Sequence, residues 1–153
     1  MRYLLIILVA SNAWANDLTA IHSLATSNGL NPSPRVISAI VDASNRYGVD
    51  PRELTAIGIL ETGLGKYNSV RHNKNGTTDS GVFQINSVNV ALCIEYNLSS
   101  IEGNAYCAAK LLSSIAKKHD DYLGRYHSNT PKHKKSYQKA VLRVLAAQDL
   151  VGE

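Results

Sequence analysis

Residues 49–65 read VDPRELTAIGILETGLG, and the placing of one acid in that stretch governs the rest of the chain. Asp50 is an N-cap residue, Pro51 takes the first helical position, where a missing N–H costs nothing, and Glu53 follows three residues after the cap. Gly63 and Gly65 supply the stop. Between these signals Leu54, Ile57, Gly58 and Glu61 recur at i, i+3, i+4 and i+7, so the spacing puts a carboxylate on the stripe that faces the core. A carboxylate in such a place loses hydration and stands at the negative end of the helix dipole. Glu61 is therefore fitted to donate a proton, or else it caps, salt-bridges or turns outward where the helix frays at Gly63; position alone leaves these readings open.

Working outward, Pro32 and Pro34 precede a helix expected over about Arg35 to Tyr47, with Val36, Ile37, Ile40, Val41 and Ser44 on its buried stripe and Gly48 as its end. Before it, LTAIHSLATSNGL carries a helical pattern with Gly29 as a stop, and its apolar stripe is expected to pack on the domain. Beyond Tyr67 the chain is polar to Ser80, and NKNGTTD contains an Asn-Gly step suited to a short hairpin. After Ser87 as N-cap a helix is expected through Cys93, then a longer one from about Glu102 to His119. A short element around Tyr122 to Tyr126 follows, and a last helix from about Lys134 to Gln148 turns Tyr137, Val141, Val144 and Leu145 inward. This predicts a mostly α fold of α+β type, helical with a small β-hairpin beside a cleft, without internal repeats.

The chain opens MRYLLIILVASNAWAND: a positive residue at Arg2, an apolar run from Leu4 to Ala10, and small residues at Ala13 and Ala15. That is the pattern of a signal peptide over residues 1–15, and its apolar run is well short of the roughly 20 residues a spanning helix needs. Residues 16–153 are then expected to form one soluble domain, periplasmic or secreted and not stably inserted in a membrane, with a monomer as the default. The formal charge is +4, and the excess lies late: from Lys110 onward nine Lys or Arg face four acids. PKHKKSYQK has no interleaved aromatics, so it reads as a solvated helix face and not as a nucleic-acid site. The two cysteines, Cys93 and Cys107, are expected to pair in an oxidising compartment. The five histidines lack metal-ligand spacing, and no metal or other cofactor is expected.

A second stretch, residues 77–87, reads TTDSGVFQINS. The hairpin could fold Asp79 back to face the end of the Glu61 helix, where a second carboxylate would stabilise an oxocarbenium-like transition state or hold a water. Asp79 could equally be a turn residue bonded to nearby backbone. Gln84 and Asn86 offer paired donors and acceptors suited to sugar hydroxyls and acetamido groups, while Val82, Phe83 and Ile85 can anchor the segment.

Taken together, ILETGLGKYNSVRHNKNGTTDSGVFQINS resembles the lysozyme-like superfamily. Within it, the stretch is similar to the single-domain lytic transglycosylases of conjugation, pilus and type III secretion machines: a catalytic Glu followed by Ser or Thr, a polar loop, then Gly-x-x-Gln-Ile-Asn. The resemblance runs from about Ser33 to Ala146. It implies that Glu61 is the general acid and base and that Gln84 lines the substrate, with Ser80 and Asn86 beside it. EGNAYCAAKLL resembles the family's next helix and places Asn104 near the cleft; GRYHSNT is similar to a Tyr-Asn-Ala-Gly motif and places Tyr126 near the acid. His127, Ser128 and Asn129 depart from that motif. Asp79 departs too, and TTDSGVFQINS resembles the segment of animal-type lysozymes whose Asp is the second catalytic carboxylate. The implied partners are peptidoglycan strands and a secretion, conjugation or pilus apparatus.

Overall fold

The computed structural model describes residues 17–67 and 70–147; the leader reading for residues 1–15 lies outside the described residues. The first helix, α1, spans residues 17–27 and buries Ile21, Leu24 and Ala25 completely. The segment before the recognisable stretch is thus part of the core. Its end is the expected glycine: Gly29 has φ +72°, and its N–H and that of Leu30 return to the carbonyls of Thr26 and Ala25.

Helix α2, Pro34–Tyr47, is capped by the Ser33 hydroxyl, which accepts from the Val36 N–H, and it ends at Gly48 in the left-handed conformation. Helix α3, Pro51–Thr62, starts as expected with the Asp50 carboxylate accepting from the Arg52 N–H. Glu53 does not close the reciprocal half of a capping box. Its carboxylate accepts instead from the Tyr122 hydroxyl at 2.6 Å, tying α3 to a later helix. Burial, followed by Glu53 itself, pushes the Tyr122 hydroxyl up to about 12.

Strands β1, Arg71–His72, β2, Thr78–Ser80, and β3, Ile85–Asn86, form an antiparallel sheet in chain order. The expected hairpin is therefore the first half of a three-stranded meander. Ile85 and Asn86 contribute its third strand, with Asp79 opposite Asn86 and Ser80 opposite Ile85. A 3-10 helix, Ser87–Cys93, follows, and its N-cap is Asn86 and not Ser87. The Asn86 side-chain Oδ1 accepts from the Val88 N–H, while the Ser87 hydroxyl accepts from the Thr78 N–H within the sheet region.

Helix α4, Ile101–Ala116, packs along α2; α5, Tyr122–His127, packs on α6, Pro131–Ala146; and α3 lies across α6. Helix α6 begins earlier than the expected Lys134 because Pro131 takes its first position. Ile40, Leu54, Ile57, Ala105, Ala108, Leu112 and Val141 meet in the core with no exposed surface. Each large aliphatic chain contributes about 1.5–3 kcal/mol relative to exposure. A disulfide joins Cys93 to Cys107, fastening the 3-10 helix to α4. The fold is mostly α with a small antiparallel sheet. No described helix is long and apolar enough to cross a membrane.

Candidate active site

Glu61 lies on the last turn of α3, immediately before Thr62 and the left-handed Gly63 that stops the helix. Thr62 is buried, and its hydroxyl works in both directions: it donates to the Val82 carbonyl at 2.6 Å and accepts from the Gly65 N–H at 2.9 Å. A small hydroxyl residue after the acid thus stitches the helix end to the β2–β3 connection. On the other side, Gly58 lets α3 approach that connection. A Cβ built there would stand 2.8 Å from Leu64 Cδ2 and 3.0 Å from Phe83 Cε1.

The β2–β3 connection is held from beneath by Asn104, which is 1% exposed. Its Oδ1 accepts from the Phe83 N–H at 2.8 Å, and its Nδ2 donates to the carbonyls of Ser80 and Leu98. Gly81, with φ +77°, is required above it, because an added Cβ would fall 2.1 Å from Asn104 Nδ2. Gln84 ends the connection in the left-handed region at φ +47° and donates from Nε2 to the Gly81 carbonyl. Holding a non-glycine residue there costs of order 1 kcal/mol, and the surrounding bonds maintain it.

An open cleft of about 750 Å³ runs over these elements. Glu61, Asp79, Gln84, Asn86 and Tyr126 all line it, so the structure gathers five of the sequence-predicted residues in one place. Asn104 and Ser80 are not part of its lining. Asn104 is committed to the backbone below the cleft, and Ser80 offers its carbonyl to Asn104. Asn86 lines the cleft, yet its amide is spoken for within the protein: Nδ2 donates to Asp79 Oδ1 at 2.6 Å and to the Thr77 hydroxyl. Asn73 donates to the other Asp79 oxygen at 2.9 Å. Asp79 is therefore aimed by two amides, one from each neighbouring segment of the sheet.

Tyr126 lies in the cleft near Glu61, as the resemblance implied, but the bond to the acid comes from another residue. Tyr126 does not bond to the acid; its buried hydroxyl donates to the Phe83 carbonyl at 3.0 Å, fixing the loop. Burial, with the nearby Glu61, pushes that hydroxyl well above its ordinary range. Tyr137, which sequence reasoning assigned to the core face of α6, supplies the bond to the acid, donating to Glu61 Oε1 at 2.6 Å. Its hydroxyl is likewise pushed up, first by burial and then by the Glu61 charge. His127 stacks on the Tyr137 ring, with centroids 4.6 Å apart and planes within 1°, and its Nδ1 stands 3.8 Å from the same Glu61 oxygen. The Glu61 side chain retains only 13% exposure. The signal for Tyr137 was present in the sequence: a tyrosine on an apolar stripe brings a hydroxyl that must find a partner in the interior.

No protein-family model matches this chain, and no curated protein does. The chemistry of the cleft has to be argued from its own groups. Among the described residues no cluster of His, Cys, Asp or Glu is arranged to hold a metal ion. What the arrangement provides is one largely enclosed carboxyl with a phenolic donor, a second carboxylate held by amides, and an open cleft that both reach.

Proposed function

We propose that this chain is a peptidoglycan lytic transglycosylase that cleaves the β-1,4 bond between N-acetylmuramic acid and N-acetylglucosamine and leaves 1,6-anhydro ends. The observation that supports it is Glu61: a carboxyl at the wall of an open polar cleft, largely withdrawn from water and aimed by a phenol at 2.6 Å. Protonated Glu61 donates to the glycosidic oxygen as the bond to the muramic C1 breaks. The positive charge that develops at C1 is met by the sugar's own acetamido group, with Asp79 as an electrostatic helper. Ionised Glu61 then takes the proton of the muramic C6 hydroxyl, whose oxygen closes on C1, so no water is consumed. Tyr137 keeps the carboxyl in place through both steps, and Gln84 and Tyr126 shape the floor on which the sugar lies.

A lysozyme-type muramidase is the second reading, favoured by one observation: both Asp79 oxygens are held, by Asn73 and Asn86, at the cleft surface. There Asp79 would make the second step hydrolytic. A role as a peptidoglycan-docking protein of a secretion, conjugation or pilus machine is the reading from a different class, and it gives no reason to enclose Glu61. Glu61→Gln separates catalysis from docking. The amide retains the shape and cannot transfer the proton, so lysis of purified peptidoglycan should be nearly abolished while binding remains; substantial lysis by this variant would remove Glu61 from its role.

A further inference from the structure

The cleft that holds Glu61 and Asp79 is also lined by three permanent cations, Arg71, Lys118 and Arg125. Arg125 is committed within the protein, to Asp121 at 2.5 Å and to Asn129. Arg71 and Lys118 are exposed, and neither forms an ion pair among the described residues. For Arg71 the sheet register makes this unexpected. It stands directly opposite Asp79 across the β1–β2 pair, so both side chains leave the sheet on one face, where opposite charges ordinarily attract. Both Asp79 oxygens instead accept from neutral amides, Asn73 Nδ2 at 2.9 Å and Asn86 Nδ2 at 2.6 Å. The guanidinium is left at the cleft with its fork of donors and no carboxylate. Lys118 follows the end of α4, beside a stretch of wall made by Leu111, Ser114 and Ile115, and brings the charge that those residues lack.

We propose that Arg71 and Lys118 are specificity-determining residues that bind the acidic substituents of the glycan, and so favour strands containing muramic acid over neutral strands of N-acetylglucosamine. The inference deepens the glycosidase reading and rests on it for the identity of the ligand. Muramic acid carries a lactyl ether at C3, from which a short peptide with free carboxylates extends; N-acetylglucosamine has only a hydroxyl there. Every second sugar of peptidoglycan therefore brings acids to the cleft. Glu61 and Asp79 line the same space, and an anionic strand entering it needs cations that no internal acid has already taken. Arg71 presents a planar fork that matches a carboxylate in two parallel bonds. Lys118 presents a compact charge on a flexible stem, which suits an acid on a mobile peptide. Neither residue gives or takes a proton in the reaction. They act on which strand is held, and leave bond breaking to Glu61.

The test is titration calorimetry on the full chain carrying Glu61→Gln, so that no ligand is consumed. Two forms of one probe are compared: a peptide-bearing tetrasaccharide of alternating N-acetylglucosamine and N-acetylmuramic acid, with its carboxyls free or converted to amides. Chitotetraose is the neutral reference. The free acid should bind about fivefold to tenfold more tightly than the amide, and this preference should shrink as salt is added. Arg71→Gln and Lys118→Gln should each reduce the preference, and together bring it to about one. Arg71→Lys, which keeps the charge and loses the fork, should retain part of it. A free acid that binds no better than its amide or than chitotetraose overturns the proposal, and so does a preference that survives the double substitution. If one variant does not fold, the other and the Arg71→Lys chain carry the comparison. Digestion by the native chain tests the glycosidase reading separately. Muropeptides released without a preference for the acid would leave catalysis standing and remove the selection; a preference without release would do the reverse.

Discussion

Glu61 is useful as an acid only if something prevents it from turning outward where its helix ends. Two bonds do so at one remove, Thr62 to Val82 and Gly65 to Thr62, and one does so directly, from Tyr137. Hydrogen bonds to charged groups contribute about 1.5–3 kcal/mol. Tyr137→Phe should therefore lower the thermal midpoint by several degrees and kcat/KM by roughly tenfold to a hundredfold, changes that a melting curve and steady-state kinetics will read. Glu61→Gln should cost more, about 10²–10⁴-fold, since it removes the proton itself. Asp79→Asn should cost less than Glu61→Gln if Asp79 only assists; equal losses measured on the same peptidoglycan would favour the two-carboxylate hydrolase. That Glu61 and Asp79 would meet at one cleft was suggested by the helix stop and the hairpin between them, and both line it. Tyr137 was legible only as a hydroxyl in need of an interior partner, because the fold alone shows which acid it reaches.

At the scale of elements, the site depends on how closely α3 and α4 approach the β2–β3 connection. Gly58 and Gly81 mark the two approaches, and Asn104 fills the space beneath. Asn104→Ala would leave the buried Phe83 N–H without a partner, at about 1–3 kcal/mol. Gly58→Ala gains helix propensity of about 1 kcal/mol yet drives its methyl into Leu64 and Phe83, for which overpacking costs about 1–3 kcal/mol. Both variants should show lower denaturant midpoints, and Asn104→Ala should also lose activity because the loop carrying Gln84 is released. The helices themselves were readable from caps and stops: Asp50, Pro51 and Gly63 bound α3 as expected. The third strand was not, because Ile85 and Asn86 are too few to show a period and their pairing is set by the turn that Gly81 and Asn104 impose. Pro131 was a start signal for α6 left unused.

At the scale of the molecule, α5 brings His127 to the cleft and α6 brings Tyr137 to Glu61, and Asp121 pins the two helices together. Its carboxylate pairs with Lys134 of α6 and, at 2.5 Å, with Arg125 of α5. These partners, Lys134 first, hold the Asp121 carboxyl at about 2 against an ordinary value of 3.8. A depressed carboxyl stabilises the fold above its unfolded value, and that stability is lost as pH falls from near 4 toward 2. Asp121→Asn should flatten the acid side of the melting temperature against pH over that interval, and an unchanged profile would place the acid sensitivity elsewhere. The disulfide between Cys93 and Cys107 closes a loop for which chain entropy gives about 3 kcal/mol, so reduction should lower stability and loosen the 3-10 helix from α4. The measurement that bears most directly on the central claim is digestion of purified peptidoglycan by the chain from residue 16 onward, with the muropeptide ends read by mass spectrometry. The account predicts anhydromuramic ends, lighter by one water than hydrolytic products. Reducing ends would contradict it in favour of the muramidase, and binding without release would contradict catalysis altogether.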